Sequence, residues 1–233
     1  MACCLLDARS SRYLPKQLAS TTQNYETEHF FFNYDTNALD CKLLTTNIYY
    51  PYFENIYPIL INEYELTDDM LNVIKSYTNS QTNESYKKTN LNLLSANFDD
   101  IDWIYVNKLR SLIRNLVKIN LKPIYYRGLN LSDSEIKYYI EKQNSYYYTN
   151  SFLSFTIDRL LIYPGNAILI LKTETSSEKA KKNLANIWKW STFSDEKEAL
   201  LCVGTKLRIK SVHYYGCKWE IEVELMEDDE EES

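Results

Sequence analysis

Two carboxylates two residues apart, Glu196 and Glu198, open the Leu-rich run Ala199-Leu200-Leu201. In an extended strand alternate side chains share a face, so a strand that includes both residues sets the two carboxylates side by side. Like charges that close raise the proton affinity of one of them, which suits a group that takes a proton from a reacting partner. Two further segments stand upstream: Tyr126-Arg127-Gly128, and the hydroxyl-bearing Ser151-Phe152-Leu153-Ser154-Phe155-Thr156. A planar guanidinium offers an anion two charge-assisted hydrogen bonds, and a glycine beside it lets a ligand approach the backbone. Each segment also has an ordinary structural use, as a turn, a Ser-rich strand or a solvated face. Their order along the chain makes them a set: a cation, then hydroxyls on a strand, then paired carboxylates.

What the chain lacks narrows the chemistry. Its 233 residues include only four glycines, Gly128, Gly165, Gly204 and Gly216, so no Gly-rich phosphate loop or dinucleotide fingerprint can be written. The only histidines are His29 and His213, which argues against a His-based triad or a His-rich metal site. The formal net charge is -6, and the unbroken run Glu227 to Glu232 supplies six of the acids; without it 26 positive charges face 26 negative ones. A balanced body argues against a strongly basic nucleic-acid binder and against a polybasic membrane-surface protein.

The elements that must position the set are legible in outline. Thr67 to Asn79 reads as a helix, with Asp68 and Asp69 at its positive end and Met70, Leu71, Ile74 and Tyr77 on one face. A second helix is expected over 84–95, with Leu91 and Leu94 inward. After Asp99, Asp100 and Asp102, the residues Tyr105, Leu109, Leu112, Leu116 and Ile119 recur at three and four, with Lys108, Arg110, Arg114 and Lys118 as polar positions and Pro123 marking the end. From there the pattern turns to strands: 124–129, 145–156, 166–174, 184–190, 198–203, 206–214 and 217–225, the last alternating cleanly from Trp219 to Leu225. Ser132 and Glu135 form a capping box for one brief helix through Lys142. The fold class is α+β, N-terminal helices followed by a mixed β-sheet sandwich. The expected organisation is an N-terminal arm over 1–60, a single domain over 61–226 with its helices before about 122, and an acidic tail over 227–233.

Arg, then Ser-x-Thr on a strand, then Glu-x-Glu entering a Leu-rich strand resembles the R-S-E signature of the mono-ADP-ribosyltransferases, the group of arginine-specific ecto-enzymes and clostridial-type toxins. Ile124-Tyr125-Tyr126-Arg127-Gly128-Leu129 resembles the family's Arg strand, Phe152 to Thr156 its Ser-Thr-Ser strand, and Gly204-Thr205-Lys206-Leu207-Arg208-Ile209 the strand after its Glu-x-Glu. The likeness spans about 65 to 225. It departs from the family at Phe155 and Thr156, and at Cys202-Val203 where the family often carries two prolines.

The resemblance implies NAD as co-substrate and no metal. Glu198 would stabilise an oxocarbenium-like ribose, as glycosidase carboxylates do. Glu196 would position an acceptor guanidinium and take its proton. Arg127 would hold the phosphates and ribose of NAD, Gly128 would admit the nicotinamide amide, and Ser154 would fix Glu198. Glu-x-Glu goes with arginine as acceptor in that family, so the implied partner is an arginine-bearing protein. Two alternatives stay open: an NAD glycohydrolase in which water replaces the arginine, and a non-catalytic module that keeps the fold. Trp188, Trp190 and Phe193 stand where the family has an acceptor-contacting loop, and core packing is an equal reading of each. Five cysteines without a C-x-x-C pair, and no stretch suited to a signal or a membrane span, point to free thiols in a cytoplasmic protein.

Overall fold

The computed structural model describes residues 44, 46–62, 64–78, 84–116, 121–162 and 164–227; the rest of the expected arm, Ile119 and the acidic tail beyond Glu227 lie outside them. Among the described residues three α-helices precede the strands: α1 (Asp68–Thr78), α2 (Glu84–Leu94) and α3 (Trp103–Asn115). The Thr67 hydroxyl accepts from the amide of Met70 and the Asp102 carboxylate from that of Tyr105, so both caps satisfy amides that a helix start leaves open. α3 buries Val106, Leu109, Leu112 and Ile113. It ends earlier than Pro123, because Leu116 turns extended and bridges to Ile61. In α2 the inward residues are Leu93 and Leu94, and Leu91 is exposed. Arg110, expected at a polar position, is buried with its guanidinium stacked 3.8 Å from the centre of the Phe53 ring, a cation–π contact that offsets its desolvation.

Residues 46–62 line this helical layer. Tyr49 is 1% exposed and its hydroxyl donates to the carbonyl of Leu93 at 2.5 Å. Side chains of α3 take up the backbone of the segment, the amide of Glu54 on Asn107 Oδ1 at 3.2 Å and that of Tyr57 on Ser111 Oγ at 2.7 Å. The described part of the expected arm thus completes the helical core.

The second half forms eight strands: β1 (Ile124–Leu129), β2 (Tyr146–Tyr148), β3 (Leu153–Thr156), β4 (Ala167–Lys172), β5 (Leu184–Asn186), β6 (Glu198–Leu201), β7 (Lys206–Tyr215) and β8 (Lys218–Leu225). The helix α4 (Asp133–Glu141) follows β1 with the Ser132/Glu135 capping box closed in both directions, and the short α5 (Glu178–Lys181) precedes β5. One mixed sheet runs β2-β7-β8-β4-β1-β3-β6-β5, with β4 and β8 its parallel pair. Residues from both ends of that order, Leu184, Ala199 and Leu201 on one side and Tyr147, Leu207, Ile209 and Val223 on the other, share one core. The sheet therefore curls over on itself, which gives the expected sandwich a continuous hydrogen-bonded edge.

The expected strand 145–156 is two strands. Tyr146–Tyr148 pairs with β7, and Leu153–Thr156 pairs with β1 and β6 on the far side of the sheet. Between them Thr149 and Gly204 bond backbone to backbone at 2.8 Å. Gly204 has φ +74, and a Cβ there would meet Phe53 at 2.9 Å and Asn47 at 3.0 Å. Only glycine combines that left-handed turn with so close an approach of residues 47–53.

The helices pack on the opposite side of β5 and β6. Ala185, Leu200 and Cys202 join the helical core with Phe152, Ile74 and Leu109, while Leu184, Ala199 and Leu201 face the sheet interior. β6, buried on both faces, is the slab between the two cores. Among the described residues no helix is long and apolar enough to cross a membrane.

Candidate active site

β6 begins at Glu198, which lies opposite Thr156 in register, with Ser154 opposite Leu200. Ser154, Thr156, Glu198 and Leu200 therefore share a face. Glu198 is 6% exposed. The Ser154 hydroxyl donates to its Oε1 at 2.6 Å, and the Ser191 side chain hydrogen-bonds it as well. Burial pushes the Glu198 carboxyl up from 4.5 to about 7, against the pull of the Ser154 bond; the charge of Glu196 adds to the rise, while Ser191 and Arg127 oppose it.

Arg127 sits in β1, one position beyond Tyr126, which pairs with Thr156. It is as buried as Glu198, and its Nη1 donates to the Ser154 carbonyl at 2.5 Å. Burial lowers the guanidinium to about 10, while electrostatic interactions with Tyr77, Glu198, Tyr139 and Tyr147 oppose the fall, so at neutral pH it stays a cation. Ser154 thus carries the arginine on its carbonyl and the carboxylate on its hydroxyl, tying the two charges through one residue. Gly128 continues β1 in extended conformation, opposite Ile168 of β4.

The second carboxylate is placed otherwise than a strand would place it. Glu196 closes a 3-10 turn, Ser194–Glu196, and Lys197 after it is left-handed, with φ 50 and ψ 44. The two glutamates are therefore not consecutive outward positions of one strand. Glu196 is exposed as a residue, yet partial desolvation of its carboxyl raises its pKa, and it stands near enough to Glu198 for the two charges to interact.

The loop between β5 and β6 is anchored at several points. The amides of Ile187 and Trp188 both donate to the Glu198 carbonyl, at 3.0 and 3.1 Å. Ser191 Oγ, bonded to Glu198, also accepts from the amide of Phe193 at 3.1 Å. Thr78, the last residue of α1, accepts from the amide of Thr192 at 3.0 Å and donates to its hydroxyl at 3.3 Å. Trp190 packs on the helical core, while Phe193 is exposed at the loop tip.

The sequence set Arg127, Gly128, Ser154, Glu196 and Glu198 is thus brought to one region across β1, β3 and β6. His213 lies elsewhere, on the exposed end of β7 opposite Glu220. Among the described residues no three His, Cys, Asp or Glu side chains converge to hold a metal ion. Sequence reasoning missed Ser191, Thr78 and Tyr77. The Tyr77 hydroxyl donates to the Phe152 carbonyl at 3.4 Å and accepts from Asn90 Nδ2 at 3.3 Å. Thr78 lies 114 residues from the Thr192 it bonds, and Tyr77 lies 75 from Phe152, so no local pattern marks either.

No protein-family profile matches the chain, and no curated protein does. Solved structures do match in fold. An ADP-ribosyltransferase from Clostridium botulinum aligns at a TM-score of 0.55 and 14% identity, over 70% of this chain and 89% of that one. The ADP-ribosyltransferase Vis from Vibrio splendidus aligns at 0.52 and 17%, over 72% and 77%, and it is also known in complex with agmatine. The Salmonella SpvB ATR domain aligns at 0.52 and 15%, over 69% of this chain and all of that domain. At these identities the likeness is one of fold: the chain has the α+β fold of the ADP-ribosyltransferases.

Proposed function

We propose that the protein transfers ADP-ribose from NAD to arginine side chains of a protein acceptor and releases nicotinamide. The observation that carries this reading is Ser154 joining a buried arginine and a buried glutamate, within a fold shared with ADP-ribosyltransferases. Nicotinamide in NAD is a cationic leaving group, so it departs with the electron pair of its bond to ribose C1′ and needs no proton from the protein. What needs help is the positive charge left on the ribose.

In its ionised form Glu198, held by Ser154 and Ser191, meets that charge with a carboxylate fixed beforehand, so nothing has to reorganise as the bond breaks. Burial strengthens the interaction by keeping water away. Arg127 supplies a planar cationic fork for a phosphate oxygen pair. A guanidine nitrogen of the acceptor then forms the new bond to C1′, and its surplus proton goes to Glu196, whose raised pKa fits it to accept one. The binding of agmatine, decarboxylated arginine, by the similarly folded Vis supports arginine as the acceptor. Water in place of the guanidine gives NAD hydrolysis at the same C1′.

The test is NAD turnover by the purified full chain with agmatine as acceptor, counting nicotinamide released against ADP-ribose joined to agmatine. Equal counts are expected for complete transfer. A folded protein that neither binds nor consumes NAD would falsify the reading.

A further inference from the structure

The turn that presents Glu196 is laced to the chain leaving β3. The Thr156 hydroxyl donates to the Glu196 carbonyl at 2.9 Å and accepts from the amide of Asp158 at 3.1 Å. The amide of Ile157 donates to the Lys197 carbonyl at 3.4 Å. Lys197 Nζ donates to Asp158 Oδ2 at 2.8 Å, and Asp158 Oδ1 accepts from the amide of Leu160 at 3.0 Å. The lacing holds Lys197 in the left-handed region, which residues with a Cβ occupy rarely.

An extended Lys197 would simply lengthen β6. The ladder pairs Thr156 with Glu198 antiparallel, so continuing it would put residue 157 opposite 197 and Asp158 directly opposite Glu196. Like charges facing each other across a ladder are unfavourable. Asp158 therefore acts twice on the same choice: it attracts Lys197 in the turn and repels Glu196 in the strand. The strand alternative would also place Glu196 on the face of Glu198, inside the ladder instead of in the exposed turn Ser194–Glu196.

We infer that Asp158 is a specificity-determining positioning residue: through Lys197 it holds the left-handed turn that keeps Glu196 off β6, and so directs turnover to an arginine acceptor rather than to water. The inference rests on the transfer reading above. Asp158 touches no reacting group in this scheme, so its loss acts on the partition of ADP-ribose between acceptor and water and leaves the cleavage of NAD alone.

The experiment compares wild type, Asp158→Asn, Lys197→Gly and the double variant for agmatine modification and NAD hydrolysis. Asp158→Asn is expected to lower transfer about tenfold or more, as a displaced positioning group does, with hydrolysis within about twofold of wild type, which also shows that the variant is folded. Glycine takes the left-handed conformation without a Cβ penalty, so Lys197→Gly in the Asp158→Asn background is expected to restore most of the transfer. An unchanged ratio of transfer to hydrolysis in Asp158→Asn, equal loss of both activities, or no rescue by glycine overturns the inference while the transfer reading stands. A wild type that consumes no NAD overturns both.

Discussion

Two carboxylates separated by one residue occupy opposite kinds of place. Glu198 begins a strand buried on both faces and takes hydrogen bonds from Ser154 and Ser191. Glu196 ends a turn at the surface, and what holds it is its backbone, through Thr156 and the chain around Asp158. The first is fixed by a core, the second by a loop. A charge that faces a developing cation gains from rigidity in a buried place, whereas a group that meets a protein side chain has to be held where that side chain can reach it. Loops on rigid scaffolds commonly carry such duties.

The comparison breaks most sharply at Glu198. Glu198→Gln keeps the shape and removes the charge, and NAD consumption of both kinds is expected to fall by about 10²–10³; nicotinamide release measures it. Retained hydrolysis would show that the buried carboxylate is not the stabilising charge. Glu196→Gln should divide the activities, with agmatine modification down about a hundredfold and hydrolysis little changed. Equal loss of both would erase the distinction between the two glutamates.

Acidity sharpens it further. With the Glu198 carboxyl at about 7, NAD hydrolysis should rise with pH through neutrality as the carboxylate forms. The Ser154 bond lowers that pKa, so Ser154→Ala should move the rising limb to higher pH and cost about tenfold at pH 7. Stability runs the other way. A carboxyl whose folded pKa is raised holds its proton between 4.5 and about 7 where the unfolded chain has lost it, so stability falls as pH climbs through that window. Glu198→Gln should then be more stable than wild type above pH 7, by up to about 3 kcal/mol, and equal to it below pH 4.5. Denaturant midpoints at the two pH values would check this. The smallest effect is expected at the loop anchor: Thr78→Val removes both bonds to Thr192 and should reduce transfer about threefold through a loosened loop, roughly the worth of one neutral hydrogen bond.

The strand chemistry was legible because it is local. Arg127 with its neighbours in β1, the alternation of β8 and the capping box at Ser132 are each written within a few residues. The break between β2 and β3 was not, since nothing in Tyr146 to Thr156 says that its two ends pair with opposite sides of a curled sheet. The apolar spacing runs past the end of α3 because Leu116 continues it while its backbone has already turned to meet Ile61. A strand that includes Glu196 breaks at Lys197, whose left-handed backbone is tied to an ion-pair partner 39 residues away. The carboxylate set by strand register could be read. The one set by long-range loop contacts could not.

Among the described residues β8 is the last strand along the chain, yet it lies inside the sheet between β7 and β4. A ribosome must therefore release Leu225 before β4 gains its parallel neighbour and the curled core can shut around Ile221 and Val223. Until then Ile168 to Leu171 present an open ladder edge, the kind of surface that recruits other chains. The parallel pair couples residues about 50 positions apart, the long-range closure that slows folding. An interrupted translation product lacking β8 would carry Arg127, Ser154 and Glu198 without the wall that holds their sheet closed, so the nascent chain cannot assemble the proposed site until synthesis has passed that strand.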